Sequence, residues 1–175
     1  MYKFIKPLLF TLDAEKAHDI TIGILGWISR SDFLSQVLGS WFGKRVPDMP
    51  TRLMGLDLRH PVGLAAGLDK NARAYEAFSA LGFSSIETGT VTPKAQPGND
   101  KPRIFRLLED QAIVNRLGFN SAGLESYKRN LQRRRTNSII GGNVGKNANT
   151  PLDKAYEDYV TGMRQIYKLV DYITI

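Results

Sequence analysis

The sequence predicts an α/β fold: a barrel of parallel strands, about the first four of them present, behind a small helical extension. Three observations predict it. From residue 62 onward, apolar strand-like runs alternate with amphipathic helical stretches, the order that parallel sheets require. Four polar, glycine-containing rims follow in turn: GLAAGLDK (63–70), TGTVTP (88–93), NRLGFN (115–120) and NVGKN (143–147). An open doubly wound sheet fits the alternation equally well, but it gathers its ligand groups at one switch point, whereas a barrel sets them on every strand end. Finally, neither a GxGxxG dinucleotide fingerprint nor a GxxxxGK[ST] phosphate loop is present.

The elements follow in order. The first ten residues, MYKFIKPLLF, place lysines beside an apolar stretch as a secretory signal does. Pro7 interrupts that stretch, no small-residue cleavage site follows, and Asp13, Glu15 and Lys16 end it well short of the roughly 20 residues that span a bilayer. Over residues 13–29, Ala17, Ile20, Ile24 and Ile28 share one helical face. Beyond Ser31 and Asp32, both suited to capping, Phe33, Leu34, Val37, Leu38, Trp41 and Phe42 form a second stripe. Two short amphipathic helices are therefore expected, flanked by Lys3, Lys6, Arg30, Lys44 and Arg45. They carry both tryptophans of the chain, and large apolar side chains with basic flanks suit a helix lying in a membrane interface. Such stripes serve equally to pack on a domain. Pro47 and Pro50 mark a boundary, giving an extension over 1–45 and a barrel portion over 46–175.

LMGLDLRHP (53–61) reads as a small hairpin turning at Gly55, and VGLAAG (62–67) as a buried strand. Ala74, Ala77, Phe78 and Leu81 mark a helix that stops at Gly82, a suitable left-handed cap. SSIETGTVT (84–92) is the next strand, and the turn-rich loop 93–102 leads to an inserted hairpin, RIFRL (103–107) and AIVNR (112–116). Leu124, Tyr127 and Leu131 mark a helix with Arg133, Arg134 and Arg135 at the negative end of its dipole. A lone basic run there reads as a solvated terminus, so no nucleic-acid partner is expected. SIIGGNVG (138–145) is a strand, and Thr150, Pro151 and Asp153 open a helix as a capping box with proline at its first position. Leu152, Ala155, Tyr159, Met163, Ile166 and Val170 are its expected buried stripe. DYITI (171–175) begins a further strand, and a stop inside that apolar run reads as a fragment.

With 175 residues, 42% of them apolar and 23% charged, the chain can bury a core of ordinary size. The absence of cysteine excludes disulfides, thiolate metal sites and a cysteine nucleophile. His18 and His60 are too few and too far apart to suggest zinc, and no metal is expected. The net charge of +7 suits anionic lipid, nucleic acid or an anionic small molecule alike. On the rims, Ala65, Ala66 and Gly67 let a flat or phosphorylated ligand approach the backbone, and Lys70 brings a cation to the same edge. Asn115 and Asn143 each offer a donor and an acceptor, Thr90 a hydroxyl, and Gly67, Gly89, Gly118 and Gly145 exposed backbone. This set suits a planar heterocycle bearing carbonyls, ring NH groups and a carboxylate. Acyl and phosphoryl transfer fit poorly, because neither a nucleophile–base pair nor paired metal carboxylates accompany it.

GLAAGLDK, ETGTVTPKAQPGNDKPRIFRL, IVNRLGFNSAGL and NVGKN closely resemble stretches of the dihydroorotate dehydrogenases, specifically the quinone-dependent, membrane-associated class 2 enzymes. The likeness runs from about residue 45 to 175, and the two N-terminal helices match the extension that class 2 enzymes carry and soluble class 1 enzymes lack. It implies an FMN-containing (β/α)8 TIM barrel that oxidises dihydroorotate to orotate in de novo pyrimidine (UMP) biosynthesis.

By that resemblance, Ala65, Ala66, Gly67, Leu68, Asp69, Thr90 and Asn143 line the flavin. Lys70 lies between flavin and substrate, and Asn115, Arg116, Leu117, Gly118 and Phe119 form the substrate loop. His18 and Arg106 lie on the path of a quinone entering between the helices, Arg106 being the better candidate for polar contact. The reaction implied removes a proton from C5 and passes a hydride from C6 to flavin N5. Its serine base belongs to a loop beyond Ile175, so no catalytic base is expected in this chain, and the 175 residues alone are expected to be inactive and weakly stable. The implied location is peripheral, on the cytoplasmic face of the bacterial inner membrane, with the mitochondrial inner membrane as alternative. Competing readings are another FMN barrel, of class 1 or dihydropyrimidine type, and a non-catalytic membrane-surface module.

Overall fold

The computed structural model describes residues 2–43 and 46–175. Lys44 and Arg45, expected as basic flanks, lie outside the described residues, as does the side chain of Lys3. Three helices open the chain: α1 (Tyr2–Thr11), α2 (Ala14–Ile28) and α3 (Asp32–Trp41). Helix α1 was not expected, and it contains Pro7; the missing amide removes one helical hydrogen bond without ending the helix. Asp13 starts α2 by accepting the amides of Glu15 and Lys16 at 3.0 and 3.1 Å. Ser31 starts α3 by accepting the amide of Leu34.

Of the face that periodicity selects on helix α2, only Ala17 is buried. Glu15, Ala17, Ile22 and Gly26 are buried, whereas Ile20 and Ile24 are 48% and 55% exposed. The second half of α2 is apolar nearly all round, so hydrophobic spacing cannot choose a side. Close approach does: a Cβ on Gly26 would sit 3.3 Å from the carbonyl oxygen of Arg73. On α3, Leu34, Leu38 and Phe42 are half-buried while Phe33, Val37 and Trp41 remain exposed.

The barrel portion begins with an antiparallel hairpin, β1 (Thr51–Leu53) and β2 (Leu56–Leu58). There follow β3 (Gly63–Leu64), α4 (Tyr75–Leu81), β4 (Ser85–Val91), the hairpin β5 (Ile104–Leu107) and β6 (Ala112–Asn115), and α5 (Leu124–Leu131). The last elements are β7 (Ile139–Val144), α6 (Ala155–Ile166) and β8 (Tyr172–Thr174). Strands β3, β4, β7 and β8 form one parallel sheet in that order. Sequential order without a reversal leaves no switch point, which separates a barrel wall from a doubly wound sheet. Ile86, Val91, Ile140 and Val144 from the sheet meet Phe78, Leu124, Tyr127, Leu131 and Ile166 from the helices in a core at most 5% exposed. The phenol of Tyr127 is 2.5 Å from the Thr88 hydroxyl, so the largest buried side chain leaves no polar atom unpaired.

Three local expectations are corrected. Strand β3 pairs over two residues only, because Ala65 to Gly67 already turn away: Gly67 has φ +104° and donates its amide to Gly89 at 2.8 Å. The capping box at Thr150 does not form. Its hydroxyl donates to the Asp158 carboxylate at 2.6 Å, a charged acceptor that the Asn147 amide shares at 2.8 Å. A single 3-10 turn (Leu152–Lys154) then precedes α6, leaving Leu152 84% exposed rather than in the buried stripe. Arg134 and Arg135 are fastened rather than solvated: Arg134 pairs with Asp171 at 2.6 Å, and Arg135 pairs with Asp32 at 2.5 Å while donating to the Ser29 carbonyl. The end of α5 is thereby tied to β8 and to the helical extension.

Candidate active site

Three rims lie at the carboxyl ends of the parallel strands β3, β4 and β7, and the fourth follows β6 of the antiparallel hairpin and meets the first through Lys70 and Asn120. In the loop after β3, Ala65, Gly67 and Leu68 are exposed and Ala66 is half-buried. Nothing lies within 4 Å of the position a Gly67 Cβ would take, so the backbone presents an open face there. The side chain of Asp69, expected to line the flavin, is turned inward. It is 1% exposed, and its carboxylate accepts the amides of Arg73 and Ala74, both at 2.7 Å. Burial pushes this carboxyl above its usual range, and the amide bonds oppose that shift. Its carbonyl oxygen accepts the Gly89 amide at 3.2 Å, so Asp69 joins two rims.

Lys70 is half-buried and donates to the Asn120 side chain at 2.8 Å. Burial, with the Arg103 charge nearby, holds its ammonium below the ordinary lysine range; Glu15 acts in the opposite sense. Asn120 closes the NRLGFN rim but was missing from the expected substrate set, which ended at Phe119. Its resemblance to Asn115 and Asn143 in type and setting was the available signal.

Thr90 donates to Asn143 Oδ1 at 2.5 Å, and Asn143 Nδ2 donates to Glu87 Oε1 at 2.9 Å. The Tyr172 phenol donates to the other Glu87 oxygen at 3.1 Å. The amide of Asn143 is thus oriented from both ends, with one donor and one acceptor position left over. Neither Glu87 nor Tyr172 stood out in the sequence; the alternation of β4, which puts Ser85 and Glu87 on one face, was the usable signal.

In the third rim Asn115, Arg116 and Phe119 are exposed, while Leu117 and Gly118 are half-buried. Gly118 and Phe119 have φ of +69° and +53°, so the loop turns sharply there. The Arg116 guanidinium donates to the Pro102 carbonyl at 3.1 Å, which makes it a loop brace. Asn99 holds the segment from below, donating its amide to Leu117 at 3.0 Å and its side chain to the Arg116 carbonyl at 2.7 Å.

A cavity of about 820 Å³ opens between α1, α2 and the β5–β6 hairpin. Phe10, His18 and Arg106 line it, and it reaches Gly67, Leu68 and Asn115. His18 Nε2 lies 2.8 Å from the Leu68 carbonyl oxygen, and its Nδ1 lies 3.1 Å from the Asp19 carboxylate. Arg106 donates to the carbonyls of Leu12 and Leu9 at 2.6 and 3.4 Å, and stands 4.7 Å from the Phe10 ring centre, within cation–π reach. The two expected path residues therefore share one apolar chamber, and that chamber meets the loop after β3.

The sequence pattern of the dihydroorotate dehydrogenases matches residues 49–175. The chain belongs to the dihydroorotate dehydrogenase family. Over all 175 residues it is 49% identical to a "Dihydroorotate dehydrogenase (quinone)" of Idiomarina loihiensis and 47% identical to one of Burkholderia pseudomallei. It covers 51% and 50% of those proteins, so the chain spans about half the length of the curated relatives it matches. Among solved structures, DHODH from Eimeria tenella in complex with ferulenol superposes with a TM-score of 0.74 at 37% identity, over 92% of this chain and 43% of that one. A ligand-free DHODH from Eimeria tenella gives a TM-score of 0.71. The helical extension precedes the dihydroorotate dehydrogenase pattern yet lies inside the alignments to both relatives.

Proposed function

We propose that the full protein carrying this chain oxidises dihydroorotate to orotate in pyrimidine biosynthesis, with FMN as its flavin and a quinone as electron acceptor. One observation carries the reading: the chamber lined by His18 and Arg106 ends at Gly67 and Leu68. An apolar acceptor entering between the helices would stop beside the loop where a flat ligand fits. The quinone relatives, which share the extension, support this choice of acceptor.

The residues present suit a flavin. Ala65, Ala66, Gly67 and Leu68 offer it a small-residue face, with the oriented amide of Asn143 and the Thr90 hydroxyl at a polar edge. The chemistry that FMN supplies when bound is acceptance of a hydride from the substrate and delivery of electrons to the quinone. Lys70, braced by Asn120, sets a cation between the flavin loop and the substrate loop, where it favours an anionic substrate. Asn115 reads the polar edge of the pyrimidine, and Arg116 to Phe119 shape the loop that excludes water. In this reading the base that takes the C5 proton is a serine outside these 175 residues.

The exposed apolar faces of Phe4, Leu8, Trp27, Phe33 and Trp41 support peripheral attachment to the bacterial inner membrane. Among the described residues no helix is long and apolar enough to cross a membrane. The test is the full-length protein with dihydroorotate and a short-chain quinone. Flavin absorbance together with dihydroorotate-dependent quinone reduction is the expected result. Turnover with soluble acceptors alone would refute the quinone assignment, and no oxidation of dihydroorotate would refute the whole reading.

A further inference from the structure

Glu15 and Arg103 form the most deeply buried ion pair among the described residues, with side chains 9% and 8% exposed. Arg103 donates through Nη2 to Glu15 Oε1 at 2.7 Å and through Nε to both carboxylate oxygens at 3.1 and 3.2 Å. Lys101 approaches the same carboxylate at 3.2 Å. Glu15 belongs to α2, one turn before His18 in the chamber wall. Arg103 stands at the base of the β5–β6 hairpin, opposite the point where the 115–120 loop departs.

The remaining edge of the guanidinium faces that loop's support. Nη1 donates to the carbonyls of Pro97 and Asn99 at 2.6 and 2.8 Å. Asn99 in turn holds Arg116 and Leu117 by two hydrogen bonds, and the Arg103 carbonyl accepts the Arg116 amide at 2.9 Å. The two segments are interlocked sterically as well. A Cβ on Gly98 would come within 2.2 Å of the Leu117 carbonyl oxygen, and one on Gly118 within 2.7 Å of the Asn99 side chain. Any displacement of residues 97–99 is therefore passed to residues 116–118.

We propose that Arg103, anchored by Glu15 of α2, is a positioning residue for the 115–120 loop, so that the helical extension sets the geometry of the dihydroorotate subsite as well as walling the acceptor chamber. The inference rests on the proposed function. A buried guanidinium cannot leave its carboxylate without stranding a charge, and its planar fork can grip a carboxylate and two carbonyls at once. Lysine can keep the charge but cannot reproduce the fork. The loop is thereby held in its binding shape before the substrate arrives, which lowers the ordering cost of binding.

The test uses the flavin-loaded full-length protein and two variants, Arg103→Lys and Glu15→Gln. Each is expected to raise both the dihydroorotate KM and the Kd of orotate, measured by calorimetry, by about tenfold. The quinone KM is expected to change less than the orotate Kd, since neither residue lines the chamber and the 115–120 loop meets it only through Asn115 and Leu117. Unchanged orotate Kd in variants that retain flavin would overturn the inference. So would a loss of quinone and orotate affinity in equal proportion, the mark of a distortion shared by both sites, whereas loss of folded protein would show as a lower binding stoichiometry with unchanged Kd. A wild-type protein that binds no orotate would overturn the proposed function itself, and that is read before any variant is made.

Discussion

His18 Nε2 lies 2.8 Å from the carbonyl oxygen of Leu68, fifty residues further along the chain, so the second helix of the extension is hydrogen-bonded to the loop after β3. A carbonyl only accepts, hence this nitrogen carries a proton. Replacing His18 by leucine removes the donor and keeps the apolar bulk. The expected cost is about 1 kcal/mol of stability, with a raised quinone KM and an unchanged dihydroorotate KM in the full-length protein. Steady-state kinetics with each substrate varied separately checks this, and an unchanged quinone KM would remove His18 from the acceptor path.

Gly67 separates backbone strain from ligand contact. At φ +104° an alanine is strained, yet its methyl would meet nothing within 4 Å. Gly67→Ala should therefore cost only about 1 kcal/mol in chemical denaturation. It should nonetheless lower the flavin-to-protein absorbance ratio of the purified full-length protein by more than half, because the methyl projects into the space proposed for a flat ligand. Full flavin content in a correctly folded variant would place the flavin elsewhere.

The buried ion pair gives stability a pH dependence with a defined sign. Hydrogen bonding from Arg103 holds the Glu15 carboxyl below its usual value of 4.5. A carboxylate whose folded value is depressed stabilises the native state above pH 4.5, and that contribution is lost as pH falls through the folded value. At pH 7, Glu15→Gln is expected to cost about 3 kcal/mol, because the partner guanidinium is left buried. The difference from wild type should shrink as the acid limb is descended. Urea midpoints between neutral and acid pH measure it, and a gap independent of pH would contradict an electrostatic origin.

Trp27, Phe33 and Trp41 are 63%, 71% and 64% exposed on the helical extension. Changing all three to serine removes apolar surface that is mostly exposed. Co-sedimentation of the full-length protein with vesicles containing anionic lipid should fall severalfold, while the thermal midpoint stays within a few degrees of wild type. A variant that still sediments fully would move the membrane contact to another face.

Much of this architecture was legible in local chemistry. Gly82 stops α4 with φ +108°, as a glycine after the last apolar position should. The hairpins at Gly55 and over 104–115 follow from short apolar runs around turn residues. Rims of Gly, Asn, Thr and Lys on strand ends pointed to a barrel, and the parallel sheet in sequential order agrees with that reading. Each of these features is decided within a few residues, by backbone freedom or by apolar spacing.

Tertiary structure alone decided the rest. Spacing could not tell which side of the almost wholly apolar second half of α2 is buried, because close packing at Gly26 made that choice. Asp69 is turned inward by the amides that begin α4, and Asn120 becomes a site residue only through Lys70. Glu15 and Arg103 are 88 positions apart, and no local pattern links them. By itself the sequence determined the order of the elements and the chemistry on their ends. Which side chains meet was decided by packing and by the need of buried charges and polar groups to find partners, since both depend on contacts that the folded chain alone brings together.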